Sequence, residues 1–176
     1  MAAFASDNAK PNVGGATVPG IGRRLACLPY EGLLVLALML IATFPVAGLK
    51  GITLQGAPHV ALQIYLSCVI AGYFIWFWRH GGQTLPMKTW RFRLVDRNGQ
   101  SPSLARAFGR FLLALFFFGS ACLGLVLIFF PHRISPAQSL WTFVPMIASV
   151  LWARFDADRQ FLHDHLAGTR LVNANQ

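Results

Sequence analysis

The sequence predicts an all-α membrane protein: a bundle of four transmembrane helices with short cytoplasmic helices and one two-stranded β pairing. Composition points there first, because 55% of the 176 residues are hydrophobic and only 12% charged, against about 25% charged in soluble domains. Long runs free of charge come second. Third, the Lys and Arg residues fall almost wholly on one side of those runs, the asymmetry that fixes membrane orientation.

Residues 1 to 21 are rich in Ala, Gly, Pro and Asn and lack apolar periodicity, which predicts a disordered cytoplasmic tail. The membrane domain is expected over 22–172, with 173–176 as a short tail. The first span is expected over 25–49, flanked by Arg24 and Lys50, which a continuous helix would set roughly 39 Å apart, close to a full bilayer. Pro29 sits where a kink or interfacial turn is expected, and Pro45 where the far end should break.

The second span, 60–78, ends in Trp76, Trp78 and Arg79, an aromatic and basic interface anchor. The third, 111–130, is uninterrupted by charge. The fourth, 134–153, carries Ser, Thr, Gln and Pro, so it suits contact with other helices or a re-entrant path as well as lipid. With four crossings one side holds every Lys and Arg except Lys50 and Arg133; a failed fourth crossing would spoil that bias. Both termini are therefore expected in the cytoplasm.

In the central loop, Thr84 is a suitable N-cap for a short helix whose first turn tolerates Pro86. Residues 90–95 alternate in the pattern of a half-buried strand, and Asp96-Arg-Asn-Gly99 supplies a turn. Ser103 can cap a helix that places Arg106 and Arg110 one turn apart at the interface. The tail repeats the plan: Asp156 or Asp158 caps a helix through Leu166, Gly168 stops it, and 169–172 forms a strand expected to pair with 90–95.

Arg24 and Glu31 are seven residues apart and share a helix face two turns apart. Glu31 lies about 10 Å inside Arg24, at the hydrocarbon edge, where a carboxylate can snorkel or serve as a cation or proton site facing the bundle. Asp164 is expected at the same membrane surface, within reach of Arg24 or the loop arginines. Arg23, Arg79, Arg91, Arg93, Arg106 and Arg110 form a supporting basic, lipid-facing set, for which anionic headgroups are a more economical partner than nucleic acid.

No catalytic constellation, phosphate loop or cofactor signature is present in the sequence, so no enzyme activity and no cofactor are expected. Cys27, Cys68 and Cys122 form no CxxC pair and read as inert apolar residues. His163 and His165 crowd with Asp156, Asp158 and Asp164, but adjacent-but-one helical positions diverge by about 200° and cannot chelate one ion.

Three ordered stretches resemble the RDD family of bacterial membrane proteins, named for an arginine and two aspartates. They are Arg23-Arg-Leu-Ala-Cys-Leu-Pro-Tyr-Glu31; Gly82-Gln-Thr-Leu-Pro-Met-Lys-Thr-Trp-Arg-Phe-Arg-Leu-Val95 with Ser103-Leu-Ala-Arg-Ala107; and Leu162-His-Asp-His-Leu-Ala-Gly-Thr169. The resemblance implies that Arg24 is the family arginine, that Asp164 is an aspartate of the terminal motif, and that Glu31 stands in place of the first-span aspartate. It also implies a place in the bacterial inner membrane and transport, with sodium/proton exchange proposed for some members. Four short spans enclose little volume, so a pathway implies a homo-oligomer. The alternative is a non-catalytic scaffold whose Arg24, Glu31, Asp164 and basic loop form a polar clasp.

Overall fold

The structure, a computed structural model, describes residues 17–47, 57–129 and 135–174. Three helices are long and apolar enough to cross a membrane: α1 (Ile21–Ala47), α2 (Ala57–Arg79) and α4 (Leu104–Phe129). Each extends beyond its charge-free run, because a helix does not stop where hydrophobicity does. α1 gains a turn through Gly22, Arg23 and Arg24, and α4 starts at Leu104 behind Ser103, whose Oγ accepts from the Arg106 N–H at 3.4 Å. α1 runs through both Pro29 and Pro45, ending at Ala47. Lys50 and the loop expected around it lie outside the described residues.

Along these helices large apolar side chains face outward, Phe44 at 82% and Phe129 at 74% exposure. Water would not tolerate such a surface, and lipid solvates it without cost.

The core sits at one end of the bundle. Cys27 of α1, Trp78 of α2, Ala107 and Phe111 of α4, and Met87 pack with Phe92, Leu94 and Leu171. Met87 comes from α3 (Leu85–Thr89), capped by Thr84 as expected. Leu94 and Leu171 face each other across an antiparallel pair of β1 (Phe92–Asp96) and β2 (Thr169–Asn173), in register Phe92↔Asn173 to Asp96↔Thr169. The pairing expected from the alternating pattern is present; β1 starts two residues late, because Arg91 turns at φ 55°.

Two strands alone are marginal, and here every free edge is occupied. On the outer edge of β1, Gly82 O accepts from Leu94 N–H at 2.7 Å and Phe92 O from the Gln83 amide at 2.9 Å. On β2 the buried Gln160 amide bonds both Leu171 N–H (2.8 Å) and Leu171 O (3.3 Å), and Asn173 N–H reaches Thr17 O at 3.0 Å. Thr17, expected in the disordered tail, is thus tied to β2; residues 1–16 lie outside the described residues.

The expected fourth span is broken. α5 (Pro136–Ser139) leads through a 3-10 turn (Leu140–Phe143) into α6 (Val144–Trp152), so the apolar helical segment is shorter than the other three. The turn tightens where Thr142 Oγ1 donates to Ser139 O at 2.7 Å, and Pro145, without an N–H, opens α6. It lies against Gly124 of α4: a Cβ there would overlap the Thr142 hydroxyl and stand 2.8 Å from the Phe143 ring. Gly124→Ala should therefore cost about 1–3 kcal/mol by overpacking. Thermal unfolding in detergent checks this, and an unshifted midpoint would mean that turn and helix are not in contact.

The tail helix is also shorter than expected. α7 is Leu162–Leu166, with Phe161 in the cap position. Asp156 does not cap it; it accepts from Gln160 N–H at 2.8 Å and meets His165 at 2.9 Å, folding the preceding turn so that Arg159 takes φ 51°. Gly168, at φ 65°, ends it as expected.

Candidate functional site

Charged and polar side chains from α1, α2, α4 and α7 converge beside this core. Arg24 and Glu31 do lie two turns apart on α1, yet they do not meet. Arg24 is buried, and it donates from Nε to Pro19 O and from Nη1 to Arg159 O, both at 2.8 Å, with its guanidinium 5.2 Å from the centre of the Phe161 ring. The carbonyl it holds belongs to the left-handed Arg159, a conformation costing a non-glycine residue about 1 kcal/mol or more. Arg24 thus clamps the tail onto the start of α1.

Glu31 turns to hydroxyls instead. Tyr73 of α2 donates to Oε1 at 3.0 Å, and Thr84 donates to Oε2 at 2.7 Å. The same Thr84 oxygen accepts from Met87 N–H at 3.4 Å, so one fully buried hydroxyl both caps α3 and holds the carboxylate. Among the described residues no ion pair includes Glu31. Three oxygen-bearing side chains from α1, α2 and the start of α3 are gathered at one half-buried carboxylate, and oxygen is the donor that hard cations take.

The second carboxylate has the cation. Asp164 is fully buried on α7 and its Oδ1 accepts from Arg110 Nε at 2.7 Å. Arg110, expected to face lipid, is instead buried, its guanidinium 4.2 Å from the centre of the Trp78 ring. The reason is spacing. α4 starts so early that Arg110 falls in its second turn, on the face carrying Ala107 and Phe111 into the core. Burial pushes the Asp164 carboxyl up, but the Arg110 guanidinium, aided by Arg24, outweighs this and holds it below the usual carboxylate range.

Arg106, also expected at lipid, pairs with Asp96 at 2.9 Å, and Asp96 further accepts from Asn98 and Gln100 N–H. Arg23, Arg79, Arg91 and Arg93 remain exposed, and Arg23 donates to Trp90 O. Asp164 therefore meets one of the central-loop arginines, Arg110, while Arg24 acts on it by charge alone, whereas Glu31 is held by partners at separations of 42 and 53 residues. Tyr73 carried one signal, a lone hydroxyl among the aromatics closing a charge-free span.

His163 completes the cluster. Its Nδ1 lies 3.3 Å from Ser149 Oγ and its Nε2 3.5 Å from Asp164 Oδ1, all three buried. His165 points away to Asp156, as the angular separation requires. Burial, reinforced by Arg110 and Arg24 against the pull of Asp164, drives the His163 pKa down to about 4 from 6.5. Between those values the unfolded chain binds the extra proton, so stability should fall as pH drops from about 6.5 toward about 4. Thermal unfolding across that window should lose its His163-dependent slope in His163→Gln; an unchanged slope would place the ring in solvent.

A family model for the RDD family matches residues 18–168. The chain belongs to the RDD family. Neither a curated protein nor a solved structure matches it. The RDD match takes in Arg24, Glu31, Arg110 and Asp164 and ends just before β2, so the strand closing this RDD chain's polar end lies beyond the matched region.

Proposed function

We propose that this RDD membrane protein exchanges a small cation for protons, with Glu31 as the exchangeable carboxylate. The observation that carries the reading is that Glu31 faces the bundle, held by Tyr73 and Thr84 hydroxyls and without a salt-bridge partner among the described residues. A carboxylate in that setting can take up either a proton or a hard cation with oxygen partners already in place. Arg24 and Arg110, which could have neutralised it directly, are engaged elsewhere.

The accompanying topology has four crossings, both termini in the cytoplasm and the chain in the bacterial inner membrane. Two findings support it. Thr142 lies at Gly124 while Asp164 lies at Arg110, so residues 142 to 164 travel back along α4 by roughly 21 Å. The exposed Arg23, Arg79, Arg91 and Arg93 then share the side on which positive charge is retained and anionic headgroups are met. The pathway itself is formed by association of copies, because so few helices enclose little volume.

Flux of sodium against a pH gradient in proteoliposomes tests the reading. Glu31→Gln should reduce exchange to the level of empty liposomes, and Glu31→Asp should retain it. Wild-type flux in Glu31→Gln would rule out this carboxylate as the exchange site.

The buried Arg110–Asp164 pair, with Arg24 holding the Arg159 carbonyl beside it, favours a second reading, a scaffold whose polar clasp locks the helix ends. In that case wild-type liposomes carry no cation flux at all. Because Arg24 and Glu31 have separate partners, neutralising both should give nearly additive stability losses, contrary to the coupling expected when they share one contact.

A further inference from the structure

The first turns of α1 and the end of α3 meet at a notch furnished with free hydrogen-bond donors. Trp90 is the C-cap residue of α3, and its carbonyl accepts from Arg23 Nη2. Its ring meets the Tyr30 ring edge-on, with centres 6.1 Å apart. Arg23 and Tyr30 are seven residues apart and share one face of α1. The Nε and Nη1 of Arg23, the Tyr30 hydroxyl and the Trp90 indole N–H make no hydrogen bond among the described residues. A guanidinium and an indole nitrogen can only donate. The group that completes them is an acceptor.

Its charge is defined as well. Trp90 stands in the chain between Lys88 and Arg91, both exposed like Arg23, and among the described residues no carboxylate pairs with any of the three. Phosphate answers both requirements, because its oxygens accept only and arginine binds them with charge-assisted bonds.

The notch continues into an apolar column. Steps of seven from Arg23 pass through Tyr30 to Ala37 and Phe44, all exposed, with the exposed Ile41 beside them. Tyr30 to Phe44 spans roughly 21 Å along the helix, more than the ~15 Å of hydrocarbon that belongs to one leaflet. A free phosphate leaves this column unused. A zwitterionic lipid brings its ammonium group among Arg23, Lys88 and Arg91.

We propose that this face of α1 binds one anionic phospholipid, with its phosphate on Arg23, Tyr30 and Trp90 and an acyl chain along the column. The general attraction of exposed arginines for the headgroup layer narrows here to a single held molecule. The lipid also braces α3, whose N-cap residue Thr84 holds Glu31 while its C-cap residue is held from Arg23. None of this depends on Glu31 exchanging cations, so flux results leave it untouched.

Native mass spectrometry of the full chain, released from nanodiscs of phosphatidylcholine with a minority of phosphatidylglycerol, reads the bound lipid directly. The wild type should retain one phosphatidylglycerol. Arg23→Gln should weaken that retention by about fivefold or more. Tyr30→Phe, which removes one hydroxyl and keeps the ring, should weaken it too. Arg79→Gln is the control: Arg79 is an exposed arginine at the end of α2 that makes none of the notch contacts, and its loss should leave retention unchanged. Inorganic phosphate should not displace the lipid, and phosphatidylglycerol should raise the unfolding midpoint of the wild type but not of Arg23→Gln.

Equal losses in Arg23→Gln and Arg79→Gln would reduce the effect to diffuse attraction. Displacement by inorganic phosphate would leave a phosphate site without a lipid, and a dimer that forms at the expense of phosphatidylglycerol would put a second copy of the chain on this face. Each of these results overturns the proposal.

Discussion

Asp164→Ala should lower the stability of the detergent-solubilised protein by about 3–5 kcal/mol, the cost of removing one partner from a buried ion pair. The loss is large because two cations lose their anion. Arg110 is left buried against Trp78 with its salt bridge gone, and Arg24, whose charge also acts on Asp164, loses attraction as well. Asp164→Asn should cost less, since its carbonyl oxygen can still accept from Arg110 Nε. Adding Arg110→Ala to Asp164→Ala should recover part of the loss, because an unpaired buried charge is removed with it. Unfolding midpoints of the four-member cycle, followed by intrinsic fluorescence, give the coupling. A change within about 0.5 kcal/mol of wild type, the range of ordinary surface substitutions, would show that the pair is not closed in the membrane.

Gly82→Ala should come next, at about 2 kcal/mol or more. Gly82 sits at φ +72°, and a Cβ there would overlap the backbone oxygen of Leu94, a side chain with no exposed surface. Backbone conformation accounts for roughly 1 kcal/mol or more, and displacing β1 breaks the Leu94 N–H to Gly82 O bond, adding about 1 kcal/mol. Gly99→Ala separates the two contributions. Gly99 has nearly the same φ, +79°, but open space where its Cβ would stand, so it should show the conformational cost alone. Equal losses at the two positions would mean that the Leu94 carbonyl moves aside freely.

The sequence made the spans legible through its charge-free runs, and the β pairing through the alternation around Phe92 and the short Thr169 strand. Thr84 declared itself by standing three residues before Met87, with Pro86 tolerated between. Arg110 did not, because apolar periodicity cannot say which face of α4 meets a helix and which meets lipid when both are apolar. Arg24 and Glu31 show the complementary difficulty. Their spacing on α1 follows from the sequence, but partners are chosen by elements distant in sequence, the Arg159 turn for one and Tyr73 with Thr84 for the other. The fourth segment was harder still: its Pro145, Thr142 and Ser139 marked it as irregular, and only the contact with Gly124 decides where the 3-10 turn falls.

The pairing of Phe92 with Asn173 bears on the order in which the protein can be made. β1 leaves the ribosome with α1 and α2, but its partner strand emerges only after α4 and the segment through α6 have been delivered to the membrane. Until then Leu94 has no Leu171 to cover it, and Arg110 no Asp164. The helices must accordingly be inserted as a loose, polar-ended intermediate that is fastened only once residue 173 has been synthesised. That makes the last strand a checkpoint: a chain that stalls or is clipped just before it already carries Asp164 for Arg110, yet presents an open β edge and an uncovered Leu94.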